Sequence, residues 1–137
     1  MLKLIIGVKG TGKTKQLIEM VNTASAESKG SVVCIEKGTK LTYDIKHTAR
    51  LIDTEQYGIC DGQSLFGFIA GILASNHDVT DLYVDSALKI CQNNTESFDV
   101  FLNELEALVK THEINCVITS SLAVEEASDT VKKFIAE

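Results

Sequence analysis

Arginine is almost missing from this 137-residue chain: twelve lysines stand beside a single arginine, Arg50. Bidentate recognition of phosphate or guanine depends on the guanidinium fork and is therefore scarce. Positive charge is short overall, with 13 Lys and Arg against 19 Asp and Glu for a formal net charge of −6. That balance argues against a broad nucleic-acid or anionic-membrane surface. Pro and Trp are absent, and there is no C-x-x-C pair. The four cysteines, Cys34, Cys60, Cys91 and Cys116, lie 25–31 residues apart, which is not a zinc-ligand pattern. Cys34 and Cys116 sit inside apolar runs and read as buried thiols of a reduced compartment. The longest apolar stretch, residues 65–74, is half of what a membrane span needs. Met1-Leu2-Lys3 leads straight into an apolar run with no room for a signal peptide, so a soluble, cytoplasmic protein is expected. Repeats, low-complexity tracts and linkers are also missing. The length suits one domain over residues 1–137, short for an enzyme with a separate lid.

What is present is concentrated near the start. Residues 7–14 read Gly-Val-Lys-Gly-Thr-Gly-Lys-Thr, a full match to the phosphate-binding pattern G-x-x-x-x-G-K-[ST]. Gly7, Gly10 and Gly12 let the backbone turn tightly and bring N–H groups against phosphate oxygens. Lys13 supplies a compact cation for β- and γ-phosphates, and Thr14 a hydroxyl for Mg²⁺. Thr11 and Lys15 flank those two and complete the predicted phosphate-binding set. A helix starting near Gly12 would turn its positive N-terminus to the same anion.

Along the chain, apolar runs alternate with helical stripes. Residues 2–8, 31–35, 51–53, 81–85 and 115–119 read as strands, the first nearly continuous in apolar character as in a parallel sheet buried on both faces. Leu17, Ile18 and Val21 mark a first helix over 13–24. Residues 63–75 are apolar nearly all round and read as a buried helix, with Gly67 and Gly71 allowing close approach. Phe98, Phe101, Leu102, Leu105, Leu108 and Val109 predict a helix over 96–110 capped by Asn93 or Asn94. A last helix carries Val124, Val131, Phe134 and Ile135, while residues 41–45 fit a short strand or a helical turn. The expected fold is α/β, a mostly parallel five-stranded sheet with helices on both faces.

Ligands of such sheets bind outside the carboxyl ends of the strands, which directs attention to Glu36, Asp53, Asp85, Thr119, Ser120 and Ser121. Asp85 ends a strand and is the candidate second holder of Mg²⁺ beside Thr14. A glutamate often follows such an acid in ATP-hydrolysing proteins, but here Ser86 stands there. Glu36 is then the first choice for a catalytic base, with Lys13 as the catalytic cation, ahead of Asp53 and Glu55. Thr119 or Ser120 would contact the γ-phosphate. Lys9 reads as solvated and Arg50 as lying at the far end of the sheet, which removes a cis arginine finger. His47, His77 and His112 have no acid or cysteine partners at ligand spacing.

Residues 2–14 together with 81–85 resemble the P-loop NTPase superfamily, whose members bind ATP or GTP with Mg²⁺. The resemblance implies the P-loop nucleoside triphosphate hydrolase type of fold, phosphate binding by Gly10, Gly12, Lys13 and Thr14, and metal support by Asp85. About 70 residues separate the two segments, more like the RecA-type ATPases and thymidine-kinase-like enzymes than small GTPases. No [NT]-K-x-D guanine-reading segment occurs, so ATP is expected rather than GTP. The whole chain is also similar to short stand-alone bacterial ATP-binding proteins, some labelled twitching-motility ATPases.

These features predict an ATP-binding protein, a slow Mg²⁺-dependent ATPase whose nucleotide state controls contact with a protein partner or a second copy. A small-molecule kinase is the alternative, with Lys40, Tyr43 and Lys46 in a flap over an acceptor nucleoside or metabolite. A non-hydrolysing nucleotide-binding module is a third.

Overall fold

A computed structural model describes residues 1–135. Five strands, β1 (Leu2–Gly7), β2 (Ser31–Glu36), β3 (Ala49–Asp53), β4 (Val79–Val84) and β5 (Asn115–Ser121), form one sheet in the order β1-β5-β4-β2-β3. Every pairing is parallel. The helices are α1 (Lys13–Glu27), α2 (Gly62–Ser75), α3 (Ala87–Ile90), α4 (Thr95–His112) and α5 (Asp129–Lys132), with 3₁₀ turns at Thr54–Tyr57 and Val124–Glu126.

Because strand side chains alternate, each inner strand feeds two cores. Val33, Ile35, Leu82, Val84, Cys116 and Ile118 point to one face, where Leu65, Ile69 and Leu73 of α2 and Phe98, Phe101, Leu102, Leu105 and Val109 of α4 cover them. Val32, Cys34, Tyr83 and Val117 point to the other, under Leu17 and Val21 of α1 and under Leu41 and Ile45. The sheet therefore has helices on both faces, as expected, and all of its pairings are parallel rather than most of them.

Several local expectations are corrected. β1 ends at Gly7, and Val8 stands exposed at the start of the turn. β3 begins two residues earlier than expected, so Arg50 lies inside it, near its N-terminal end. Residues 41–45, by contrast, take the second of their two expected forms, a helical turn in which Ile45 N donates to Leu41 O at 3.1 Å, anchored by the buried side chains of Leu41 and Ile45. α2 buries only Gly62, Leu65, Ile69 and Leu73. Gly67 and Gly71 face open space instead of a neighbour; the close approach is made at Gly62, where an added Cβ would stand 2.5 Å from the Ser97 carbonyl oxygen. The expected last helix splits into the 3₁₀ turn and α5. Ser128 then caps α5 by accepting from the Val131 amide, and Phe134 O accepts from Leu4 N at the β1 edge.

Candidate functional site

α1 starts without a side-chain cap: its N-cap is Gly12, and no side chain accepts from its first amides. Those orphan donors and the helix dipole make an anion site when the preceding backbone can curl around it. The curl exists. Gly10 and Gly12 have φ of +88° and +84°, a region in which a Cβ is strained. At Gly7 a Cβ would stand 2.8 Å from Thr11 Oγ1, which itself donates to Val8 O at 2.9 Å. Lys13 is buried, folded back over the turn, and donates from Nζ to Val8 O at 2.9 Å. Lys15 is exposed on the first turn of α1.

Across the strand ends, Thr14 Oγ1 donates to Asp85 Oδ1 at 3.1 Å, joining residues 71 apart in sequence. The two expected magnesium-associated groups are thus brought together. Asp85 is buried and held in place: Thr119 Oγ1 donates to Oδ1 at 2.7 Å and in turn accepts from Ser86 N at 2.9 Å. β5 lies between β1 and β4, and the Val84–Ile118 register puts Thr119 beside Asp85 one step further on. The two residues expected near the γ-phosphate both make bonds within the protein. Thr119 positions the acid, and the buried Ser120 accepts from Leu88 N at 3.3 Å, so both hydroxyls are engaged in the interior.

Glu36, at the end of β2, is buried and faces the same cavity as Asp85. Burial, and after it the charge of Asp85, raises its pKa, while the Leu41 amide donating to Oε2 at 3.1 Å partly opposes the rise. Asp53 lies on a second, larger opening along β3, and its Oδ1 accepts from Gly38 N and Glu55 N, a turn-capping role. Tyr43 is fully exposed, and Lys46 borders the second opening rather than the first. Of the expected flap only Lys40 reaches the cavity. The cysteines contribute no nucleophile there: burial, then the charges of Asp85 and Glu36, push the Cys34 thiol far up, and burial pushes Cys116 up to about 12.

The cavity measures about 470 Å³ and is lined by two lysines the sequence did not single out, Lys37 and Lys89, and by Lys9, which it read as solvated. Lys9, Lys13, Lys15, Lys37, Lys40 and Lys89 line it, half of the chain's lysines, against Glu36 and Asp85 alone among the acids. These lysines come from three separate stretches, residues 9–15, 37–40 and 89, so no single run of basic residues announced them. A cleft of one charge sign focuses field even in a protein of opposite net charge.

No protein-family model matches this chain, and no curated protein matches it.

Proposed function

We propose that the chain binds a Mg²⁺–nucleoside triphosphate, ATP by the absence of a guanine-reading segment, and belongs to the P-loop type of fold. The observation that carries this reading is the Thr14–Asp85 contact placed beside an uncapped helix start and a glycine-rich turn. A threonine hydroxyl and a carboxylate are hard oxygen donors, the set Mg²⁺ takes when phosphate and water complete its shell. Among the described residues no group of three or more His, Cys, Asp or Glu is close enough to hold a metal without such help. Held by Thr14 and Asp85, such an ion would neutralise phosphate charge.

The protein's own groups then divide the work. Amides of the Gly7–Thr14 turn and Lys13 bind the phosphates, Thr14 and Asp85 hold the ion, and Thr119 fixes Asp85. Glu36 faces the same space as a general base for a water or hydroxyl, a role that requires its charged form. Ser86 offers no carboxylate, and Arg50 is remote, so turnover without a partner is slow.

Isothermal calorimetry with Mg·ATP, paired with phosphate release, tests the reading on Lys13→Ala. Losing charge-assisted hydrogen bonds worth about 1.5–3 kcal/mol weakens ATP binding roughly tenfold to a hundredfold. The far-UV circular dichroism stays unchanged. Wild-type affinity in that variant would remove the site assignment.

A further inference from the structure

Ser86 turns the corner between β4 and α3. Asp85 N donates to Ile35 O at 2.8 Å and Ser86 N to Thr119 Oγ1 at 2.9 Å, which fixes the chain on one side. Ile90 N donates to Ser86 O at 3.1 Å and Leu88 N to Ser120 Oγ at 3.3 Å, which fixes it on the other. Between them Ser86 is left-handed, with φ of 57° and ψ of 47°. A Cβ is disfavoured there, whereas glycine adopts the conformation freely.

Three other non-glycine residues have positive φ among the described residues, Gln92, Asn93 and Glu113, and all three are exposed. Ser86 differs from them. It is half-buried, lines the cavity with Asp85 and Glu36, and its Oγ stands 3.4 Å from Asp85 Oδ2. Strain kept beside a candidate metal ligand points to a use for the side chain.

The two oxygens of Asp85 are not equivalent. Thr119 accepts from the Ser86 amide, a group that can only donate, so the single Thr119 proton goes to Asp85 Oδ1. That bond is 2.7 Å long, the length of a charge-assisted O–H···O bond. Thr14 Oγ1 is also nearer Oδ1, at 3.1 Å, than Oδ2, at 3.4 Å. Oδ2 therefore keeps free acceptor capacity, with the Ser86 hydroxyl beside it. We propose that Ser86 is a positioning residue for the divalent cation: Thr119 holds Oδ1, Asp85 turns Oδ2 to the ion and its bound water, and the Ser86 hydroxyl fixes Oδ2 in that direction. The inference rests on reading Thr14 and Asp85 as the holders of Mg²⁺.

Titration calorimetry with a non-hydrolysable ATP analogue, with and without Mg²⁺, gives the ion's contribution as the ratio of the two affinities. Ser86→Gly keeps the backbone amide, relaxes the corner and deletes the hydroxyl. Its ratio is expected to fall roughly tenfold, the effect typical of groups that orient a metal's ligands. Its metal-free affinity stays within twofold of the wild type. Without metal its urea midpoint rises, because the long contact to Oδ2 does not offset the relieved strain. Ser86→Ala lacks the hydroxyl but keeps the strained corner, so its ratio falls equally and its midpoint does not rise. Loss of the ion's contribution in a variant that is more stable than the wild type separates positioning from a merely structural role.

An unchanged ratio in both variants overturns the inference and leaves the nucleotide reading standing. A fall in Ser86→Ala alone also overturns it, since the corner and not the hydroxyl would be responsible. Equal losses with and without Mg²⁺ do the same, because Ser86 would then serve the phosphates or the fold. A wild type whose affinity does not respond to Mg²⁺ overturns both this inference and the assignment of Thr14 and Asp85 to the ion.

Discussion

Thr54 carries the only buried side-chain oxygen among the described residues with no hydrogen-bond partner. It is fully buried at the start of the 3₁₀ turn after β3. An unsatisfied buried hydroxyl costs about 1–3 kcal/mol, so Thr54→Val, of similar shape, is expected to raise stability by about 1 kcal/mol in urea denaturation. Glu36 offers a pH test. Its folded pKa is raised, so the native state binds more protons than the unfolded chain, and its stabilising contribution fades as pH rises through the raised value. Glu36→Gln keeps an acceptor for the Leu41 amide and removes the titration. Urea midpoints without metal should show the variant more stable than the wild type near neutral pH, the gap closing as pH falls into the ordinary carboxylate range. Parallel pH profiles for the two proteins would mean that Glu36 is not held where its charge is disfavoured. At this scale the tight turn at Gly10 and Gly12 and the nearness of Thr14 to Asp85 were legible in the sequence, because glycine answers a local backbone requirement and an acid at a strand end lies on the same rim as the turn. Thr119 was legible as a rim residue, but its bond to Asp85 was not, because that depends on which strand lies beside β4.

The helices show where periodicity suffices and where it does not. α4 follows its apolar stripe and its Asn94 cap, whose side chain accepts from Ser97 N. It ends at Glu113, a left-handed residue with φ of +53° whose amide donates to Lys110 O, with Ile114 N donating to Val109 O. This is the helix-ending motif that glycine normally fills. The left-handed penalty of roughly 1–2 kcal/mol, less the extra unfolded-state entropy of glycine, leaves a net gain. Glu113→Gly is accordingly expected to stabilise the protein by about 0.5–1 kcal/mol, read as a higher urea midpoint at unchanged slope. A lower midpoint would contradict that cap geometry. α2 misled because a segment rich in apolar residues and glycine looks buried on all sides by composition alone. Its exposed Gly67 and Gly71 become distinguishable only once the single covered face is known. The final segment misled for a different reason: Ser128 caps a new helix, and the chain beyond it returns to pair with Leu4.

For the molecule as a whole, alternation of strands and helices predicted a parallel layered sheet, but not the order β1-β5-β4-β2-β3. Order is set by how the crossovers pack, and it has the larger functional consequence. Inserting β5 between the glycine-rich turn and Asp85 opens the space that Thr14 spans, and placing β2 next to β4 brings Glu36, Lys37 and Lys40 to the same cavity. The charge focusing that results is a property of the assembled rim, invisible in a chain whose net charge is −6. No helix among the described residues is long and apolar enough to cross a membrane. The central claim, that this rim receives a metal-bound triphosphate, is tested most directly by a crystal structure with Mn²⁺ and a non-hydrolysable ATP analogue. Anomalous density for the ion should lie between Thr14 Oγ1 and the Asp85 carboxylate, with phosphate oxygens against the amides of Gly10 to Lys13. An ion and nucleotide elsewhere, with the direct Thr14–Asp85 hydrogen bond intact, would contradict the account.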